Sequence, residues 1–282
     1  QDASLSVGGL NSSNVASSAA QEWNGSTWVM GCNMTIGKHY IFSGGTQIAG
    51  IFAAGCAGAP GGSTVATTEL YTKNDLPPYT TCVWTSNVGM ITARCALAGA
   101  GTQNASLGFG GQTPPSGTSS SATEEYNGTS WAAGGALSIA RMQLAGLGTQ
   151  NAALAAGGLP GSTSTEEYNG TAWTAGGALS IAKCYLPGTG TQNAAIIIGG
   201  LGGDTLTEEY DGSSWSSGGA LSTGRYGLAA AGTQNAGLAF GGTTSKSCTE
   251  EYNGTSWAIG GAMIVGRHYL GGTGTQTEAL AV

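Results

Sequence analysis

The stretch TEEYNGTAWTAGGALSIAKCYLPGTGTQNAAIIIGG, at residues 165–200, decides the fold because variants of it fill most of the 282-residue chain. One tryptophan marks each copy: Trp28, Trp84, Trp131, Trp173, Trp215 and Trp257. The last four of these lie 42 residues apart. Ten positions after each tryptophan stands a basic residue: Lys38, Arg94, Arg141, Lys183, Arg225 and Arg267. A glutamine follows nineteen positions after each tryptophan. Self-similarity at such a period indicates a repeat protein.

Each copy holds four short segments that favour β-strands. In the quoted copy these are TEEYNG, AWTAGG, YLPGTGT and AAIIIGG, and the Asn-Gly after the first is a strong hairpin signal. No segment carries a sustained apolar stripe with the helical period. Six such units predict an all-β fold, a six-bladed β-propeller of four-stranded antiparallel blades formed by residues 1–282 as one domain. The alternative, a linear β-solenoid, needs polar caps that the sequence lacks.

The two ends of the sequence carry the same strand. Residues 1–7, QDASLSV, align with residues 276–282, QTEALAV, because Gly8 and Gly9 correspond to the glycine pair of every copy. The chain thus has seven copies of this strand for six places in a ring. We expect one of the two segments to close the ring, and the other to pair with a neighbouring chain or to begin the next unit of a longer array.

Composition excludes some classes of partner. Charged residues make up 8% of the chain, the net charge is -7, and no basic cluster is present, which argues against nucleic-acid binding. No apolar run reaches the roughly 18 residues that a membrane-spanning helix needs. The first residue is Gln1 rather than Met, which indicates removal of a preceding segment.

The sequence resembles a known repeat family. AALAAGGLPGSTSTEEYNGTAW, at residues 152–173, followed by IAKCYLPGTGTQ, at 181–192, is similar to the kelch repeat: an apolar strand ending in Gly-Gly, then Tyr, Trp and a basic residue. Four residues separate Tyr168 from Trp173, where kelch repeats commonly have about six, so the resemblance is to a divergent branch. This version also resembles repeats of structural proteins in tailed-phage virions. These resemblances imply a propeller and a place in a virion.

The recurring charges are interpreted as scaffold, because a basic residue and a Glu in every unit fit a ring of buried ion pairs. The alternative is a ring of cations around an anion. His39 and His268 follow basic residues in the first and last units, which makes a Cu or Zn site worth testing, but a third ligand is lacking. No catalytic motif is present, so we predict neither enzyme activity, metal nor cofactor.

Irregular segments are the best candidates for specificity. The insert TKNDLPPYTTC, at residues 72–82, places Lys73, Asp75 and Tyr79 in a Pro-rich loop as a candidate ligand-binding site. The six cysteines are expected to be free buried thiols, with a cross-strand pair of Cys82 and Cys95 as the alternative.

Three functions are weighed. The first is a non-catalytic structural or interaction propeller on a virion or another extracellular surface, with protein partners or self-assembly through the surplus strand. The second is a glycan-binding propeller, since aromatic faces with hydroxyl and amide groups suit sugars. The third is a metalloenzyme similar to galactose oxidase, a relative that the kelch resemblance implies.

Overall fold

The computed structural model describes residues 4–46, 48–58, 63–76, 79–114, 117–201, 205–243, 246–276 and 279–281. For residues 4–6, 74–76, 79–81 and 279–281 it describes the backbone alone. These parts of the chain form strands and turns without a helix, and so none that could cross a membrane.

The strands are numbered along the chain. They are β1 (Ser4–Val7), β2 (Ala20–Trp23), β3 (Trp28–Met30), β4 (Lys38–His39), β5 (Phe42–Gly45), β6 (Ala49–Ala53), β7 (Cys56–Ala57), β8 (Thr68–Leu76), β9 (Tyr79–Asn87), β10 (Ala98–Thr102), β11 (Ala105–Phe109), β12 (Gln112–Thr113), β13 (Thr118–Ser119), β14 (Thr123–Tyr126), β15 (Trp131–Ala133), β16 (Ala145–Thr149), β17 (Ala152–Ala156), β18 (Thr165–Tyr168), β19 (Trp173–Ala175), β20 (Gly188–Thr191), β21 (Ala194–Ile198), β22 (Thr207–Tyr210), β23 (Trp215–Ser217), β24 (Ala229–Thr233), β25 (Ala236–Phe240), β26 (Thr249–Tyr252), β27 (Trp257–Ile259), β28 (Gly271–Gly274) and β29 (Ala279–Ala281).

The fold is a β-propeller of antiparallel blades. Its five four-stranded blades have the strand orders β5-β6-β8-β9, β10-β11-β14-β15, β16-β17-β18-β19, β20-β21-β22-β23 and β24-β25-β26-β27. The prediction of six four-stranded blades is wrong. A five-stranded sheet, β29-β28-β1-β2-β3, joins the two ends of the chain instead, because both copies of the duplicated strand pair with β28. We call it the closing sheet.

The innermost strands form a closed ring in which β5, β10, β16, β20, β24 and β28 each contact the next. Small residues allow this close approach. A Cβ atom added to Gly99 would lie 1.9 Å from the ring of Phe42, and one added to Gly146 would lie 2.7 Å from Phe109. Larger side chains from the second to fourth strands fill the space between sheets, as where Phe109 and Trp173 pack with ring centroids 4.8 Å apart.

The two faces of the ring carry different connections, because the first and third strands of a blade run in the same direction. The hairpin face carries the turns that end those strands, such as residues 169–172 and 192–193. The mouth face carries the connections that lead into the first and third strands, such as residues 218–228 and 199–206. These two names are used below.

Candidate functional site

A buried ion pair recurs in each four-stranded blade. The basic residue that precedes the innermost strand pairs with the first Glu of the third strand, at N–O distances of 2.8 to 2.9 Å. In one blade, Arg141 also donates to the carbonyls of Gly157 and Ser164, and Glu166 accepts from the backbone N–H of Ser138. The predicted pairing of these charges is confirmed. They stabilise blades and are not available to a ligand.

Side chains also join successive blades. Trp173 Nε1 donates to Thr123 Oγ1 at 3.0 Å, and the Tyr168 hydroxyl donates to Glu125 at 2.5 Å. On the hairpin face, Gln150 Nε2 donates to a carbonyl of each of two strands in the preceding blade, at 3.0 and 2.7 Å. This glutamine is the one that recurs nineteen positions after each tryptophan, so the repeat encodes the joints between blades.

The closing sheet departs from this network. It has Ala20-Gln21-Glu22-Trp23 where a regular blade has Thr-Glu-Glu-Tyr. Arg267 donates through Nη1 to two carbonyls, as Arg141 does, but no carboxylate of the described residues pairs with it and its Nη2 atom has no hydrogen-bond partner. Burial lowers the pKa of this guanidinium to about 9. The closing sheet therefore contains an unpaired buried charge.

The amide of Gln21 is turned away from Arg267. Its Oε1 accepts the backbone N–H groups of Ile264 and Val265, at 2.9 and 3.3 Å, and its Nε2 donates to the Val265 carbonyl. In regular blades the Glu at this position binds both the backbone N–H and the cation. One change from Glu to Gln thus removes a recurring ion pair where the ring closes.

The two copies of the duplicated strand pair with the same residues of β28. Gly272 pairs with Ser6 of β1 and with Ala281 of β29, and Thr273 pairs with Leu5 and with Leu280. This is the register in which residues 1–7 align with 276–282. The last strand, β29, also lies close to β1 and to β2.

The backbone pairing distinguishes the two copies. β1 pairs with both β28 and β2, whereas β29 pairs with β28 alone. Gln276, just before β29, makes the inter-blade joint to the carbonyls of Tyr252 and Gly237, at 2.6 and 3.2 Å. β1 therefore completes the closing sheet, and β29 is the additional strand.

A second feature lies at the centre of the mouth face. Six residues, each two positions after a basic residue, join their backbones in a closed ring in which each N–H donates to the carbonyl of the preceding member at 2.7 to 3.2 Å. All six have φ between 53° and 62°. The members are Tyr40, Ala96, Gln143, Tyr185, Gly227 and Tyr269. Left-handed backbone at five non-glycine positions costs free energy that the surrounding fold must offset, and such sites are often functional.

Tyrosines surround this mouth. The rings of Tyr40 and Tyr269 are 4.2 Å apart, and those of Tyr185 and Tyr269 are 5.4 Å apart. Burial raises the pKa of Tyr269 to about 12 and raises the pKa of Tyr185, so both are neutral phenols near pH 7. Beyond them is a cavity of about 90 Å³ that the Gln143 side chain also lines.

His39 and His268 lie near each other beside the mouth. Burial first, and then the charge of His268, lower the pKa of His39 to about 4. Neither His39 ring nitrogen makes a hydrogen bond of ordinary geometry, although the Cys56 backbone lies close. Within the described parts of the chain, no three His, Cys, Asp or Glu side chains are placed to hold a metal ion.

The described residues of the insert, 72–76 and 79–82, lie in two paired strands and not in a loop. Lys73 and Asp75 lie on β8 and Tyr79 on β9, in pairs with Cys82, Thr80 and Leu76. Lys73 Nζ forms an ion pair with Glu22 at 2.8 Å. The side chains of Asp75 and Tyr79 lie outside the described residues, so their place in a ligand site stays a prediction. The hairpin extends on the hairpin face, away from the tyrosines.

The cysteines pair differently from the sequence-based prediction. Cys82 forms a disulfide with Cys32, with 6.0 Å between Cα atoms, because β9 lies beside the connection that follows β3. The prediction of a Cys82–Cys95 pair is wrong. The expectation of free thiols is confirmed for Cys56, Cys95, Cys184 and Cys248 and is wrong for Cys32 and Cys82.

Neither a protein-family model nor a curated protein matches this sequence. The kelch and phage resemblances therefore have no support beyond the quoted residues, whereas the propeller arrangement itself is confirmed.

Proposed function

We propose that this protein is a non-catalytic interaction propeller of an extracellular or virion surface assembly, and that copies associate when β29 of one pairs with β9 of the next. The propeller fold fits an interaction role. The observation that carries the proposal is that β1 and β29 pair with the same residues of β28 in the same register. β1 is held on both sides, by β28 and β2, whereas β29 pairs with β28 alone, so β29 is the strand that we propose for pairing with a neighbour.

β9 is the best acceptor because it offers the longest outer edge. It has nine residues and lies last in its sheet, whereas β3, β15, β19, β23 and β27 have three residues each. A long exposed edge accepts an added strand through backbone hydrogen bonds. Donor and acceptor are different surfaces, so the contact is head-to-tail and builds chains or rings of copies.

The extracellular location rests on the Cys32–Cys82 disulfide. Disulfides persist mainly in oxidising environments, outside the cytosol. The low content of charged residues and the abundance of Ser, Thr and Gly agree with a surface role.

Two matched proline variants test the association. Ala281→Pro and Ser6→Pro each remove the backbone N–H opposite Gly272, one in β29 and one in β1. We expect Ala281→Pro to keep the melting temperature within about 2 °C of wild type and to abolish association in light scattering. Ser6→Pro should lower the melting temperature by roughly 5 to 10 °C, since β1 lies between two strands.

Two outcomes would contradict the proposal: a wild-type chain that stays monomeric at every concentration, or Ala281→Pro chains that associate like wild type. A Val83→Ala variant, which changes an exposed β9 side chain but keeps the backbone, is the control and should associate normally.

The mouth supports a second candidate, glycan binding. Tyrosine rings beside an amide, around a cavity of about 90 Å³, suit a sugar ring. If this is correct, a glycan array should give a signal that Tyr185→Ala weakens at least about tenfold and Tyr79→Ala, on the other face, leaves unchanged. Silence across the array would exclude this candidate.

A further inference from the structure

Two free thiols contact each other between neighbouring blades. Cys56 follows the second strand of the blade β5-β6-β8-β9, and Cys95 precedes the first strand of the blade β10-β11-β14-β15. The residues before them are joined, since the Gly55 N–H donates to the Arg94 carbonyl at 3.0 Å. Thr64 lies against both cysteines, since it pairs with Cys56 in a β-bridge and its Oγ1 lies 3.9 Å from the Cys95 sulfur. A bond between these sulfurs would link two blades.

Further donors surround Cys95. Gln112 Nε2 lies 3.3 Å from its sulfur, and Thr64 Oγ1 lies 3.9 Å from it. Two side-chain donors thus point at one sulfur atom, an arrangement that favours the thiolate. The interaction with Cys56, followed by the hydrogen bonds from Gln112 and Thr64, lowers the pKa of Cys95 to about 6 against the effect of burial. The interaction with Cys95 and burial raise the pKa of Cys56.

The two thiols therefore have different roles, one as a nucleophile and the other as a resolving thiol. The pKa of Cys95 is lowered and that of Cys56 is raised, so Cys95 is the nucleophile and Cys56 the resolving thiol. No side chain among the described residues donates a hydrogen bond to the Cys184 sulfur, and burial raises the pKa of Cys184. Cys184 is a matched control, because it occupies the position of Cys95 in another blade.

We propose that Cys56 and Cys95 are a redox-active dithiol that closes to an inter-blade disulfide by exchange with a small disulfide such as oxidised glutathione. The Cys95 thiolate attacks one sulfur of the small disulfide, and that S–S bond breaks to release one thiolate, which takes up a proton. The Cys56 thiol loses its proton and attacks the Cys95 sulfur of the mixed disulfide, which releases the second small thiol. Two protein thiols are oxidised and one small disulfide is reduced to two thiols.

The position of the pair connects it to the mouth. Cys95 directly precedes Ala96, a member of the backbone ring, and Cys56 lies close enough to Tyr40 to help raise the pKa of that phenol. Both thiols are nearly buried, with exposed fractions of 6% and 1%, so the reaction selects a small reagent. Oxidation would fix two blades against each other beside the tyrosines.

The test treats the folded protein with oxidised glutathione at pH 7, then measures intact mass and maps disulfides by peptide mass spectrometry. We expect the chain to lose two hydrogen atoms and to yield a Cys56–Cys95 peptide, while Cys184 and Cys248 stay alkylatable. Cys56→Ser should stop at the mixed disulfide on Cys95. Cys184→Ser should react like wild type.

A second measurement does not depend on closure. In the reduced folded protein, iodoacetamide should modify Cys95 at least about tenfold faster than Cys184, because only the thiolate reacts. Full alkylation of Cys56 and Cys95 after the glutathione treatment, or equal rates at Cys95 and Cys184, would overturn the proposal.

Discussion

Replacing Arg141 by methionine is expected to lower the free energy of unfolding by about 3 to 5 kcal/mol, whereas the same change at Arg267 should alter it by less than about 1 kcal/mol. The two arginines have equivalent backbone contacts, with Nη1 donating to two carbonyls each. They differ in the ion pair. Arg141→Met leaves the buried Glu166 without its cation, while Arg267→Met removes a buried charge that has no carboxylate partner.

Urea unfolding of both variants at pH 7 measures this difference. Gln21→Glu is the reciprocal change, since it restores the regular residue beside Arg267, and it should raise the free energy of unfolding by about 1 to 3 kcal/mol. Equal losses in the two methionine variants would show that the backbone contacts, and not the ion pairs, stabilise the blades.

Acidification from pH 7 to pH 4 is expected to remove about 3 kcal/mol of stability through His39 alone. The pKa of His39 is about 4 in the folded chain and 6.5 in its ordinary range, so the unfolded chain binds the proton more readily. The stability is therefore complete above pH 6.5 and is lost as the pH falls from there towards 4. The groups that face this ring are His268, Tyr40 and the Cys56 backbone.

His39→Met removes this titration, and Met142 shows that the equivalent position of another blade accepts methionine. Urea unfolding at pH 7, 5.5 and 4 should show that the variant loses about 3 kcal/mol less than wild type. Protonation of carboxylates affects both proteins alike and cancels in the comparison. An equal loss would mean that His39 is protonated in the folded protein.

The regular parts of the molecule follow from the sequence. Glycine-bounded apolar segments became strands, and a cation and a glutamate at fixed repeat positions became the Arg141–Glu166 pair and its equivalents. The Asn-Gly signal located the hairpins, but by a different mechanism. In the connection 169–172, Gly170 is the one residue with positive φ. Asn169 Oδ1 accepts hydrogen bonds from the backbone N–H groups of Thr171 and Ala172.

The irregular parts depend on contacts that the repeat does not show. Both copies of the duplicated strand pair with β28, so the chain closes on a five-stranded sheet that counting the repeats could not predict. The two prolines of the insert predicted a loop, but its strands pair, with Lys73 opposite Cys82 and Asp75 opposite Thr80. The backbone ring at the mouth was missed, although its members all follow a basic residue by two positions. Its left-handed backbone is imposed by ring closure and not by residue type.

The central claim, that β29 of one copy pairs with β9 of the next, is tested most directly by mixing two defective chains. Ala281→Pro keeps the acceptor but loses the donor, and replacement of residues 74–81 by Asn-Gly keeps the donor but shortens the acceptor to its base at the Lys73–Cys82 pair. Sedimentation velocity should show each variant alone as a monomer, close to the 27.7 kDa of the wild-type chain, and their equimolar mixture at about twice that mass. A mixture that stays monomeric, or either variant assembling by itself, would contradict the account.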